Sequence, residues 1–361
     1  MRSLGVIVAC LALAGVAMPV RADFGSGMKA YDRGDYATAL KEWLPIASDG
    51  PPEAAFYLGV MYHEGQGAPQ DYQRAMNWFR NAANRGNAGA QYNLGAGYLK
   101  GEGVPLDLKE AMKWFRMAAD QGDGQAQYNL GAGYRDGIGV PQDPEQAVKW
   151  LRAAADQGHL QARKDLGMLY LEGEGVSREP REAAKWLGLA AQQGDPDAEF
   201  ALGTMYARGD GVPADNAEAA KWYRMAAEQG VAQAQFDLGA SYEQGRGVSK
   251  DERAALSWYG KAAEQGSLAA LNNLALLLAA SNDSAIRNPT KSLEYALKAM
   301  ERTEEKEAGL LDTLAVAYDA NGQREKAIEA EKKALALKPN QASFKQHLEK
   351  YSGEADRKSK P

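Results

Sequence analysis

Residues 90–122 read AQYNLGAGYLKGEGVPLDLKEAMKWFRMAADQG, and this stretch decides the fold. Ala90, Leu94, Gly95 and Tyr98 recur at spacings of three and four, which marks one face of a helix. Ala111, Trp114, Phe115, Ala118 and Ala119 mark a second helix, from about Leu108 to Asp120. Between them, Gly101 and Gly103 tolerate positive φ and turn the chain back, while Pro105 keeps the first helix from resuming. Gly122 is placed to end the second helix as a left-handed cap.

Working outward, the same pattern returns along most of the chain. The seven tryptophans, Trp43, Trp78, Trp114, Trp150, Trp186, Trp222 and Trp258, are separated once by 35 residues and then five times by 36. The Leu-Gly pairs beginning at Leu58, Leu94, Leu130, Leu166, Leu202 and Leu238 keep that register, each followed by a tyrosine from Tyr62 to Tyr242. Self-similarity at a fixed period means a solenoid, whose units touch only their neighbours. The glycine in the middle of each first helix costs about 1 kcal/mol relative to alanine. Its retention in six units implies close approach by the partner helix, with the tryptophan expected to fill the space between helices.

These residues resemble the Sel1-like repeat family, a branch of the tetratricopeptide superfamily. The matching features are Leu-Gly-x-x-Tyr, the Gly-x-Gly-Val turn (Gly103-Val104, Gly139-Val140, Gly175-Val176, Gly211-Val212, Gly247-Val248), the aspartate after it (Asp107, Asp143, Asp215, Asp251), and Ala-x-x-Trp with Ala-Ala. Ala68 stands where the later units carry valine. The resemblance implies an all-α, right-handed α-solenoid of Sel1-like and tetratricopeptide helix pairs, about nine in number. The expected layout is a capping helix pair over 23–51, six repeats over 52–266, and a degenerate repeat plus a tetratricopeptide-like repeat over 267–340. A closing helix from Gln341 to Tyr351 and a polar, disordered tail complete 341–361.

The first 22 residues read as a removable signal: Arg2, an apolar run from Leu4 to Val16, then Pro19 and Val20-Arg21-Ala22, with cleavage expected after Ala22. The run is too short to span a bilayer, which takes about 20 residues. Cys10 lacks the leucine three residues earlier that a lipidated cysteine would need, having Ile7 instead. Cleavage predicts a periplasmic or secreted protein with no stable membrane insertion. It also removes the one cysteine, and with it disulfides, thiolate metal sites and cysteine nucleophiles. Loss of Arg2 and Arg21 takes the formal charge from −6 to −8, so no basic stripe offers itself to nucleic acid.

No catalytic constellation is legible. His63, His159 and His347 fall at unrelated positions of different units, His63 at a freely varying position that reads as exposed, and no His-x-x-x-His pair or EF-hand loop occurs. The glycine pairs follow helices every 36 residues, unlike a dinucleotide loop, which follows a strand. Acid pairs such as Glu304-Glu305 read as a solvated face. No catalytic residue, metal site or cofactor is therefore expected, and what remains is a surface. By analogy with tetratricopeptide solenoids, the residue two before each repeated leucine faces a concave groove: Phe56, Tyr92, Tyr128, Lys164, Phe200 and Phe236, with Asn93 and Asn129 beside them. Rings and amides suit a partner's extended peptide or helix. The alternative is that the rings pack between successive first helices. The resemblance implies a non-enzymatic interaction scaffold or adaptor that regulates or assembles envelope complexes. It also admits a β-lactam or cell-wall-fragment binder or hydrolase, but members of that kind carry a cysteine pair in each unit, which this mature chain lacks.

Overall fold

The computed structural model describes residues 22–303 and 307–353. The signal segment with Cys10, the pair Glu304-Glu305 and the tail beyond residue 353 lie outside the described residues, which contain nineteen helices and no strand. The chain divides between Gln157 and Gly158 into two compact units. The first holds α1 (Phe24–Asp32), α2 (Tyr36–Trp43), α3 (Pro52–Glu64), α4 (Tyr72–Asn84), α5 (Ala88–Lys100), α6 (Leu108–Asp120), α7 (Gly124–Asp136) and α8 (Pro144–Asp156). The second holds α9 (Leu160–Glu172), α10 (Pro180–Gln192), α11 (Pro196–Arg208), α12 (Asn216–Glu228), α13 (Ala232–Gln244), α14 (Glu252–Glu264), α15 (Leu268–Ala280), α16 (Pro289–Glu301), α17 (Ala308–Ala320), α18 (Arg324–Leu337) and α19 (Ala342–Ser352). In each unit the helices pair in sequence and each pair packs on the next, which makes each an all-α solenoid.

Local chemistry sets the helix limits. Asp71, Asp107, Asp143, Asp215 and Asp251 cap the second helices by accepting backbone N–H bonds two or three residues on. Gly65, Gly101, Gly137, Gly173, Gly209 and Gly245 end the first helices in the left-handed region. His159 replaces the usual Asn or Asp as an N-cap, its Nδ1 accepting from the Ala162 N–H at 3.2 Å.

Packing corrects the expected role of the tryptophans. The residue that lies on each mid-helix glycine is the one after the tryptophan: Phe79 on Gly59, Phe115 on Gly95, Leu151 on Gly131, Leu187 on Gly167, Tyr223 on Gly203 and Tyr259 on Gly239. One residue turns the helix by about 100°, so the tryptophan sits on the flank of the core. Trp114, Trp150 and Trp186 are still buried, whereas Trp78, Trp222 and Trp258 are half-buried. Lysines lie over the indoles of Trp114, Trp150, Trp186, Trp222 and Trp258, Lys149 at 4.8 Å from Trp150 and Lys261 at 3.9 Å from Trp258. Trp43 alone takes the glycine position, against Gly27, and donates its indole N–H to the Phe24 carbonyl at 3.2 Å.

A glutamine clamp, visible in the sequence at the same period but not singled out there, joins neighbouring repeats. Buried Gln91 donates to the Ala83 carbonyl at 3.1 Å and accepts from Gln121 at 2.7 Å. Gln127 with Gln157, and Gln235 with Gln265, repeat the arrangement. In one repeat Glu199 replaces the glutamine and accepts from Gln229 at 2.8 Å; burial nonetheless holds its carboxyl above the usual range. Gln127→Ala is expected to lower the urea stability of the first unit by about 1 to 2 kcal/mol, because the buried Ala119 carbonyl loses its donor and the exposed Gln157 amide keeps only its bond to Gly122.

Candidate functional site

The first helix of each repeat places its Leu on the core side and the residue two before it about 200° round the helix, at the edge of the core. All eight predicted groove residues are half-buried. In the first unit, Phe56 on α3 packs on Phe79 with centroids 6.1 Å apart and reaches Gly89 of the next first helix. Tyr92 on α5 packs on Phe115 at 5.8 Å, and its neighbour Asn93 donates to the Gly89 carbonyl at 2.8 Å, within its own helix. Tyr128 and Asn129 occupy the equivalent positions on α7. In the second unit, Phe200 on α11 lies 5.9 Å from Tyr223, and Phe236 on α13 lies 5.6 Å from Tyr259. Each of these four rings has one side on the core and some surface left in water.

Lys164 on α9 breaks the ladder. Its ammonium lies 3.1 Å from Asp195 and 3.0 Å from Asp197. Burial disfavours its charge, but the two carboxylates outweigh burial and raise its pKa. Where other repeats carry a ring, α9 and α11 leave a cavity of about 590 Å³. Met168, Phe200, Ala201 and Met205 form its apolar floor, and Lys164, Arg178, Arg208, Asp165, Asp197 and Asp210 supply charge of both signs. Arg178 is hydrogen-bonded to Asp210 across the rim.

A second cavity of about 500 Å³ adjoins it along α11 and α13 and shares Phe200, Thr204 and Arg208. Tyr223, Asp237, Ser241 and Arg246 line its far side. Burial raises the Asp237 carboxyl above the usual carboxylate range, opposed by the Gln233 amide at 3.3 Å and by Arg246 and Arg208. The two cavities form a trough that can hold an extended chain or a helix with apolar side chains flanked by charges. Of the groove residues named from the sequence, Lys164 and Phe200 line this trough and Phe236 lines neither cavity, while Thr204, Arg208 and Asp210 were not named. Arg208 corresponds to Glu64, Lys100, Asp136, Glu172 and Gln244 in other repeats. A position that varies in this way carries no periodic signal.

His63 is half-buried rather than exposed: its Nδ1 lies 2.7 Å from Glu64 and its ring packs on Tyr72. No helix among the described residues is long and apolar enough to cross a membrane.

The Sel1 repeat family model matches seven segments: 52–87, 88–123, 124–159, 161–195, 196–231, 232–267 and 268–302. The last covers the repeat that the sequence pattern sets apart as degenerate. Among solved structures, a protective antigen of uropathogenic Escherichia coli with an SLR fold is 33% identical over 90% of this chain and 70% of its own, with a TM-score of 0.78. A Sel1 repeat protein from Oxalobacter formigenes is 31% identical over 65% of this chain and 94% of its own, with a TM-score of 0.54. No curated protein matches the sequence.

Proposed function

From the premise that this chain belongs to the Sel1 repeat family, whose members generally act as protein–protein interaction scaffolds, we propose that it is a non-enzymatic adaptor working in the periplasm or after secretion. The observation that carries the proposal is the trough along α9, α11 and α13, apolar at its floor and charged at its rim. Its partner is a protein segment, extended or helical, that inserts apolar side chains between Met168 and Phe200 and offers a carboxylate to Arg208. Buried aromatic floors with a polar rim are where binding energy concentrates at interfaces.

Arg208 is exposed and reaches both cavities, so its charge is reversible without disturbing the core. Arg208→Glu is expected to weaken capture of the partner at least tenfold, about 1.4 kcal/mol, as read by titrating the purified partner identified from wild-type captures. The control Gln192→Glu, on exposed α10 surface, should leave affinity unchanged. Equal affinity in all three proteins overturns the trough as the binding surface. Export is checked separately: a mature protein beginning at Asp23 supports it, and retention of Met1 contradicts it.

A further inference from the structure

The C-terminal cap gathers three potential ligands that no spacing rule would have joined. Asp312 on α17, Glu331 on α18 and His347 on α19 each offer an atom within 4.8 Å of the others. The imidazole Nδ1 of His347 lies 2.6 Å from the Asp312 carboxylate. Glu331 is fully buried, and among the described residues neither of its oxygens has a hydrogen-bond donor. A buried, unpartnered carboxylate beside a second carboxylate is costly and calls for a cation or a proton.

We propose that Asp312, Glu331 and His347 form a binding site for one divalent transition-metal ion of the Zn²⁺ class, which staples the closing helix α19 to α17 and α18. One imidazole with two carboxylates suits Zn²⁺ better than Mg²⁺ or Ca²⁺, which favour all-oxygen sets. A Zn²⁺ ion held at about 2.0 to 2.2 Å from each ligand keeps the ligand atoms roughly 3 to 3.5 Å apart. The three side chains reach that spacing with movements of about an ångström. His347 and Asp312 are partly open to solvent, at 36% and 18%, which provides a route in and room for a water as fourth ligand. The staple has a physical purpose in this place. Among the described residues α19 packs chiefly on α18, and it starts without a side-chain cap.

The test uses the full mature chain with no histidine tag. Calorimetric titration with Zn²⁺ is expected to show one site of micromolar or tighter affinity, and Co²⁺ should give a visible ligand-field absorption. Asp312→Asn and His347→Gln, each checked for helix content, should weaken Zn²⁺ binding at least tenfold and abolish the Co²⁺ band. His63→Ala and His159→Ala should change neither. Zn²⁺ should raise the melting temperature of the wild type, while Mg²⁺ at the same concentration should not. Folded wild type that takes up no Zn²⁺ at millimolar concentration overturns the proposal and leaves a shared proton as what neutralises Glu331. Binding that survives in both ligand variants overturns it equally.

Discussion

Gly247→Ala should destabilise the second unit by about 3 kcal/mol, one of the two largest effects expected of a single substitution in this protein. Gly247 has φ of +71° in the turn after α13, and an added methyl would overlap the Asn216 carbonyl at the start of α12. Left-handed backbone costs a non-glycine residue about 1 to 2 kcal/mol. The remainder comes from forcing apart two backbones, since no flexible side chain stands between them to give way. The comparison that isolates this second part is Gly230→Ala. Gly230 also has positive φ, at +95°, but nothing lies within 4 Å of the added carbon. Its loss should be about 1 to 2 kcal/mol. Urea denaturation followed by circular dichroism measures both, and equal losses would show that close approach between neighbouring repeats contributes nothing.

Phe115→Ala is expected to cost about 3 to 5 kcal/mol. The Phe115 ring is fully buried and lies where a Cβ on Gly95 would come within 2.8 Å of it, so its removal empties the space between α5 and α6. Trp78→Ala removes a larger side chain that is only half-buried, and roughly half that loss is expected. This ordering reverses the one that the tryptophan spacing suggests. A Trp78 variant less stable than the Phe115 variant would restore the tryptophans to the centre of the core.

The contrast shows where sequence reading is sharp and where it stops. The helix pairs and the glycine turns were legible because each has a strict local requirement that repeats every 36 residues, whereas the aspartates were legible as a repeated residue and their capping role came from the structure. The second helix of the quoted repeat runs from Leu108 to Asp120, as the pattern indicates, while its first begins at Ala88, two residues ahead of the first patterned alanine. Which of two adjacent aromatic residues meets the glycine depends on helix phase, and a rotation of about 100° separates Trp114 from Phe115. The candidate site was harder to read because the trough lies where side chains depart from the repeat pattern. Lys164 stands out against the rings at its register, whereas Arg208 occupies a position with no pattern to break. The cluster of Asp312, Glu331 and His347 was invisible for another reason: its members come from three successive helices, at separations set by tertiary packing.

The trough is the central claim, and site-specific photo-crosslinking in intact cells tests it most directly. A photoreactive residue in place of Ala201, on the trough floor, is compared with one in place of exposed Gln192 on α10. A discrete protein adduct from position 201, absent from position 192 and lost when Arg208→Glu is added, is the predicted result. Adducts of equal yield from both positions, or none from position 201 in a folded and exported chain, would contradict the account.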